Sequence, residues 1–259
     1  MRRIEGMTKT VVERGGKAFT LVELPVVSRR KSRAFTLVEL LVVVAIIGLL
    51  MTILMPSLTR ARMMTLRVLC AGNLRGNYTA MTLYLSDNND VYPCAEDPVS
   101  IKPFYWLWMG RGWREPLSRY LGGGVDQNNP SVLYCKGDPA LTDKYEATSY
   151  AYSMSFYHSP EQIDQMSSTA DTYSNAKPSV PQAVQDVTTP AKKILIGEWT
   201  SNHPRVPDDG GWWCWLGSRN YLFADGRVED LPAEDVRPAR DELPDPNLTI
   251  GGITGRDVD

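Results

Sequence analysis

One carboxylate stands out for its setting. Glu39 is the only charge in the apolar run Phe35–Leu54, FTLVELLVVVAIIGLLMTIL. A carboxylate at the centre of a bilayer costs about 2.5 kcal/mol or more, so Glu39 either snorkels to the interface or answers a positive group. Catalytic chemistry has no comparable foothold. The chain has no nucleophile elbow, phosphate-binding loop or dinucleotide fingerprint. No CxxC and no zinc-type Cys/His spacing occurs, and two histidines, His158 and His203, are too few to suggest a cluster. Neither a cofactor nor a catalytic residue is expected.

The element that holds Glu39 is a membrane helix. Twenty residues at 1.5 Å each span about 30 Å, one hydrocarbon core. Val and Ile weaken intrinsic helicity, but lipid forces every backbone group to pair within the segment. Residues 1–34 carry nine Lys/Arg against three acids, whereas residues 35–259 carry nineteen against twenty-seven. A basic head before the span keeps the N-terminus cytoplasmic and exports the rest. The overall charge of −2 removes any global electrostatic case for nucleic-acid binding. The run is too long for a secretory signal, and Met55-Pro56-Ser57 makes a poor cleavage site. Ser28-Arg29-Arg30 hints at a twin-arginine signal, but Lys31-Ser32 follows where an apolar pair belongs.

The stretch Arg33-Ala34-Phe35-Thr36-Leu37-Val38-Glu39 resembles the type IV prepilin signature, in which a small residue, usually Gly, precedes a Phe and Glu is fifth in the mature chain. Counted from Phe35, Glu39 is fifth, Gly48 fourteenth and Pro56 twenty-second, all in keeping with that family. The departure is Ala34 in place of Gly. The resemblance implies that prepilin peptidase cuts between Ala34 and Phe35 and methylates the new amine. It also implies that Glu39 neutralises the amine of a neighbouring subunit during assembly. A first copy of the motif, Lys17-Ala18-Phe19-Thr20-Leu21-Val22-Glu23-Leu24, is followed by Pro25 and a basic cluster, so its apolar stretch cannot span. It reads as part of a long leader.

Beyond Pro56 helical spacing resumes at Leu66, Leu69, Asn73, Tyr78, Met81 and Leu85, so Pro56 should kink the helix without ending it. The turn formers Ser86-Asp87-Asn88-Asn89-Asp90 should stop it. Lys193–Trp199 reads as a buried strand, and Asn220–Phe223, Ala224-Asp225-Gly226 and Arg227–Leu231 as strand, turn and strand. Residues 160–190 read as a surface excursion. The expected fold is α+β and pilin-like: a long N-terminal transmembrane-plus-amphipathic helix packed on a small antiparallel β-sheet domain with long loops. Its parts are a removed leader (1–34), a transmembrane or filament-core helix (35–55), its amphipathic continuation (56–90), an exported β-rich domain (91–231) and a loosely ordered tail (232–259).

A second resemblance rests on Cys70-Ala71-Gly72-Asn73-Leu74-Arg75, on the Asp87-to-Pro93 stretch, on Tyr134-Cys135-Lys136-Gly137-Asp138 and on Asn220–Val228. These look like a large pilin-like family, of unassigned biochemical role, common in planctomycete-type bacteria. Lys136 stands where that family usually has Pro, and Trp215 where it often has His. Resemblance to secretion pseudopilins admits calcium at loop acids such as Asp87, Asp90 and Asp225, although the EF-hand pattern is absent.

Once exported, Cys70, Cys94, Cys135 and Cys214 meet an oxidising compartment. Four cysteines allow three pairings and the sequence does not choose; Cys94 with Cys135 is preferred because both sit in loop-rich sequence, with Cys70 a buried helix thiol. Tryptophans gather at Trp106, Trp108 and Trp113 and again at Trp212, Trp213 and Trp215, as core or as a contact surface. The expected function is a non-enzymatic, single-pass inner-membrane subunit of a type IV pilus-like or type II secretion pseudopilus-like filament. Its partners are prepilin peptidase and other pilin subunits, with no nucleic acid. The alternative is a membrane-anchored binding module for carbohydrate or a surface polymer.

Overall fold

The computed structural model describes residues 35–94, 113, 116–122, 132–138, 149–173 and 178–259. The leader with its repeat and Ala34, and also Trp106 and Trp108, lie outside the described residues. The chain divides into two compact units between Met51 and Thr52. One helix, α1 (Leu37–Asp87, 51 residues), belongs to both and runs unbroken through Pro56. Among the described residues it is the helix long and apolar enough to cross a membrane.

In the first unit every described residue is exposed, from Phe35 through Met51. A surface of Leu, Val and Ile with nothing packed on it is unstable in water and at ease in lipid or against other such helices. In the second unit the continuation of α1 is amphipathic: of the expected face Met81 is buried, Leu66, Asn73, Tyr78 and Leu85 are half-buried, and Leu69 departs from it. Cys70, Leu74, Asn77, Ala80 and Met81 are buried, whereas Leu69 is 48% exposed. The reason is polar. Asn73 Nδ2 donates to Tyr134 O at 2.8 Å, and Asn77 Nδ2 donates to Val132 O at 3.2 Å. The helix therefore turns its amides, not its largest aliphatics, toward the loop carbonyls that would otherwise be buried without donors. Asn88–Asp90 end it, with Asn89 and Asp90 in the left-handed region that Asn and Asp tolerate.

Four strands form one antiparallel sheet among the described residues: β1 (Tyr150–Tyr152), β2 (Ile194–Glu198), β3 (Ser218–Phe223) and β4 (Val228–Pro232), in that spatial order. The strands read from 193–199, 220–223 and 227–231 thus fall within two residues of their observed bounds. In register, Ala151 faces Gly197, Gly197 faces Tyr221, and Asn220 faces Asp230. At the β3–β4 turn, Gly226 has φ +89°, and a Cβ there would lie 2.5 Å from Tyr78 Cε1. The turn needs Gly both for its backbone and for its approach to α1. Asp225 closes the same turn by accepting from Arg227 N at 3.0 Å.

Residues 160–190, expected as a surface excursion, are tied down by α2 (Pro160–Asp164), whose Ile163 is fully buried, and by Met166 beyond it. A larger difference concerns residues 232–259, expected to be loosely ordered. Ala233, Val236, Leu248 and Ile253 are buried, and Asp257 reaches the interior. Its Oδ2 accepts from Ile194 N at 2.7 Å and lies 3.4 Å from the buried Lys193 Nζ. Prolines and acids suggested disorder, but here the acids answer buried donors and the prolines set the 3-10 turns, as in Pro246–Leu248.

Asp245 caps that turn through Oδ1, which accepts from Asn247 N at 2.9 Å. Burial first, and then the charge of Asp241, push its carboxyl up to about 8 against the lowering effect of Asn247. A carboxyl whose folded pKa is raised holds its proton in the native state. Its stabilisation is complete below the unfolded value of about 4 and is lost as pH rises through the folded one. Asp245→Asn should therefore gain stability relative to wild type on moving from about pH 5 to about pH 8, read as a widening difference in urea midpoint. A constant difference would contradict it.

Candidate functional site

Two places carry side chains in unusual settings. The first is the start of α1. Thr36 N and Thr36 Oγ1 donate to Glu39 Oε2 at 2.9 and 2.7 Å, and Glu39 N donates back to Thr36 Oγ1 at 3.3 Å. This reciprocal capping box satisfies donors that a helix leaves orphaned in its first turn. Its signature, Thr-x-x-Glu, was present in the sequence and was hidden by the question of what neutralises Glu39. The carboxylate is thus held at the head of the helix, one turn from Phe35.

The second is a buried cluster that includes the last residue of β2. Cys70, Cys135, Glu198 and His203 are all buried, and one ligand-type atom from each lies within 4.8 Å of all the others. His203 Nε2 stands 2.9 Å from Cys135 Sγ, 3.2 Å from Cys70 Sγ and 3.5 Å from Glu198 Oε1. Each side chain arrives on a different element. Cys70 projects from α1, where its carbonyl accepts from Tyr150 OH at 3.3 Å. Cys135 opens a turn closed by Asp138 N donating to its carbonyl, and Cys135 N donates to Ser149 Oγ at 2.9 Å. Glu198 ends β2, where its Oε2 accepts from Asn220 N at 3.0 Å.

His203 comes from the long connection between β2 and β3. That loop is secured by Arg219, fully buried, whose NH2 donates to Asp209 Oδ1 at 2.5 Å and to Gly211 O at 2.8 Å. Arg67 of α1 adds a bond to His203 O at 3.1 Å and an ion pair with Asp230 at 3.0 Å.

The electrostatics follow from this crowding. The Cys135 thiol donating to Cys70 favours a Cys70 thiolate and holds that group below the ordinary thiol range, against burial. Cys135 is correspondingly pushed up, by the same contact and by burial. Burial alone lowers the His203 imidazole, but Cys70 and Glu198 together outweigh it and raise the ring to about 9. Two thiols, an imidazole and a carboxylate so arranged can exchange protons, form a disulfide or coordinate a cation.

Sequence reasoning did not bring these four together, because they are separated by long loops and match no local spacing. No disulfide joins Cys94 to Cys135 in this structure, and Cys135 lies against Cys70 and His203. Asp87, Asp90 and Asp225 belong to no cluster of three candidate ligands among the described residues. Asp87 accepts from Tyr120 OH at 2.8 Å, and Asp225 is committed to its turn. Trp113 and Trp212 are core, Trp213 is half-buried against Trp199 with ring centroids 4.9 Å apart, and Trp215 is 41% exposed.

Residues 29–55 match the family model described as the prokaryotic N-terminal methylation motif. The chain therefore carries a prepilin-type motif followed directly by a long apolar helix, the arrangement of a prepilin- or pseudopilin-like protein. No curated protein and no solved structure matches it.

Exposure orders the thiols. With the fold intact, an alkylating reagent should modify Cys94 and Cys214, which are half-buried, and spare Cys70 and Cys135 until unfolding. Peptide mass mapping before and after denaturation checks this; early modification of Cys135 would contradict the buried cluster.

Proposed function

We propose that the chain is a structural subunit of a type IV pilus-like or type II secretion pseudopilus-like filament. Prepilin peptidase cuts it after Ala34 and methylates the amine of Phe35, and the subunit assembles through α1. The observation that carries this reading is the coincidence of the methylation motif at 29–55 with an apolar helix whose side chains from Phe35 to Met51 are all exposed. Such a surface is suited first to lipid and then to the same surface of neighbouring subunits. The orientation that follows is a cytoplasmic N-terminus, a single pass through the inner membrane and an exported domain.

Glu39 has the assembly role in this reading. Thr36 keeps its carboxylate at the head of the helix, where the amine of an incoming subunit can pair with it in low dielectric. The pair sets the axial stagger, because an unpaired carboxylate or amine in hydrocarbon costs far more than the same group in water. The motif points to a structural protein and not to an enzyme.

Glu39→Ala should still insert and still be processed, with an unchanged band on a denaturing gel, but should be depleted from the sheared or pelleted filament fraction. Equal recovery of variant and wild type in that fraction would contradict the assembly role.

A further inference from the structure

We propose that Cys70, Cys135, His203 and Glu198 form a structural divalent-metal site of the zinc class that clips α1 to the exported domain. Bond lengths of about 2.3 Å to sulfur and about 2.0 Å to imidazole nitrogen place tetrahedral S and N ligands about 3.5 Å apart. The three contacts of His203 Nε2, at 2.9, 3.2 and 3.5 Å, match that edge or fall short of it by no more than about 0.6 Å. Two thiolates, an imidazole and a monodentate carboxylate form a donor set suited to zinc or cobalt(II) and poor for calcium or magnesium, which take oxygen.

Hydrogen bonding alone leaves the site incompletely satisfied. The Nε2 position carries at most one proton, yet three acceptor-type atoms face it. Glu198 Oε1 is 1% exposed as part of its residue and accepts no hydrogen bond, although it points at His203 Nε2. A cation at the centre answers all four atoms together.

The surroundings suit a metal centre as well. Gly137 N lies 3.3 Å from Cys135 Sγ, where its N–H steadies a thiolate. Asn220 N fixes the other oxygen of Glu198, leaving Oε1 to bind. A Cβ on Gly137 would lie 2.3 Å from His203 Cε1, so this residue must lack a side chain for the ring to sit where it does. Binding needs no redox partner. The divalent ion enters, the Cys135 thiol proton and the Nε2 proton of the imidazolium leave to solvent while Nδ1 keeps its proton, and the ligated unit of two thiolates, one carboxylate and a neutral ring carries one net negative charge.

The competing fate in an oxidising compartment is a Cys70–Cys135 disulfide. It would consume both sulfurs and leave the Glu198 oxygen without a counter-charge other than the imidazole.

The test uses the full chain, extracted in detergent without chelator. Elemental mass spectrometry should find one zinc per chain. After chelator treatment under reductant, cobalt(II) should restore one equivalent, with thiolate charge-transfer bands and the intense visible bands of a tetrahedral centre. Gly137→Ala, which removes no ligand, should weaken zinc binding roughly ten- to hundredfold in competition with a chromophoric chelator, as changes around a metal's ligands typically do, with far-UV circular dichroism retained. A chain that neither contains nor takes up metal, or a Cys70–Cys135 disulfide found by non-reducing peptide mapping, overturns the proposal.

Discussion

One helix in this protein has to satisfy two solvents with a single backbone. Over Phe35–Leu54 lipid leaves it no alternative to helix, because no other partner exists for the peptide groups. Within the second unit the helix's hydrogen-bond ladder fixes the rotational phase of the residues that pack on the sheet domain. Cys70, Leu74, Asn77 and Met81 point inward because four- and three-residue steps place them on one stripe. Shifting that stripe by a single residue would withdraw Asn73 and Asn77 from the carbonyls of Tyr134 and Val132 and Cys70 from His203. The stripe's polar members therefore specify how the helix docks more sharply than its leucines do.

A four-stranded sheet is small for the length of loop it must organise, and buried charge does much of that work. Arg219 with Asp209 fixes the connection that delivers His203; Lys193 with Asp257 fixes the C-terminal segment. Pairs of this kind are weak evidence for net stability, since desolvation offsets most of their attraction. Breaking one, however, typically costs about 3–5 kcal/mol, because the abandoned charge stays buried. Their effect here is on specificity. Each ties an irregular segment to one place on the sheet, and the cluster of Cys70, Cys135, Glu198 and His203 is where the turn at Cys135, the end of β2 and the β2–β3 loop meet α1.

The parts that could be read from sequence are those whose signals are local. The apolar run, the stop at Asn88–Asp90 and the Asp-Gly turn before Arg227 depend on neighbours within a few residues, and each is found within a residue or two of its expected place. On α1 the expected face carried Asn73 and Met81 but missed Leu74, Asn77 and Ala80 and included the exposed Leu69, because nothing local shows that Asn73 and Asn77 reach the carbonyls of Tyr134 and Val132. The tail was misjudged for a related reason: Asp257 looked like solvated charge until Lys193 and Ile194 N were seen to need it. His203 gave no local sign at all. It becomes a partner of Cys70, 133 residues away, only through the path of the β2–β3 loop. Cys70 and Cys135 were noticed separately, each inside a stretch resembling one pilin-like family, but spacing could not reveal that the two stretches meet.

The claim on which the functional account rests is that the mature chain begins at Phe35, the residue just before the capping box of α1. Mass spectrometry of the mature N-terminus, on protein extracted from membranes of its native host, tests this directly. The account predicts a chain beginning at N-methylated Phe35, with Thr36 and Glu39 immediately behind it. A chain that retains Arg33-Ala34 would reduce the helix to an ordinary anchor, and a cut beyond Leu54 would make the remainder a released soluble protein; either result contradicts the account.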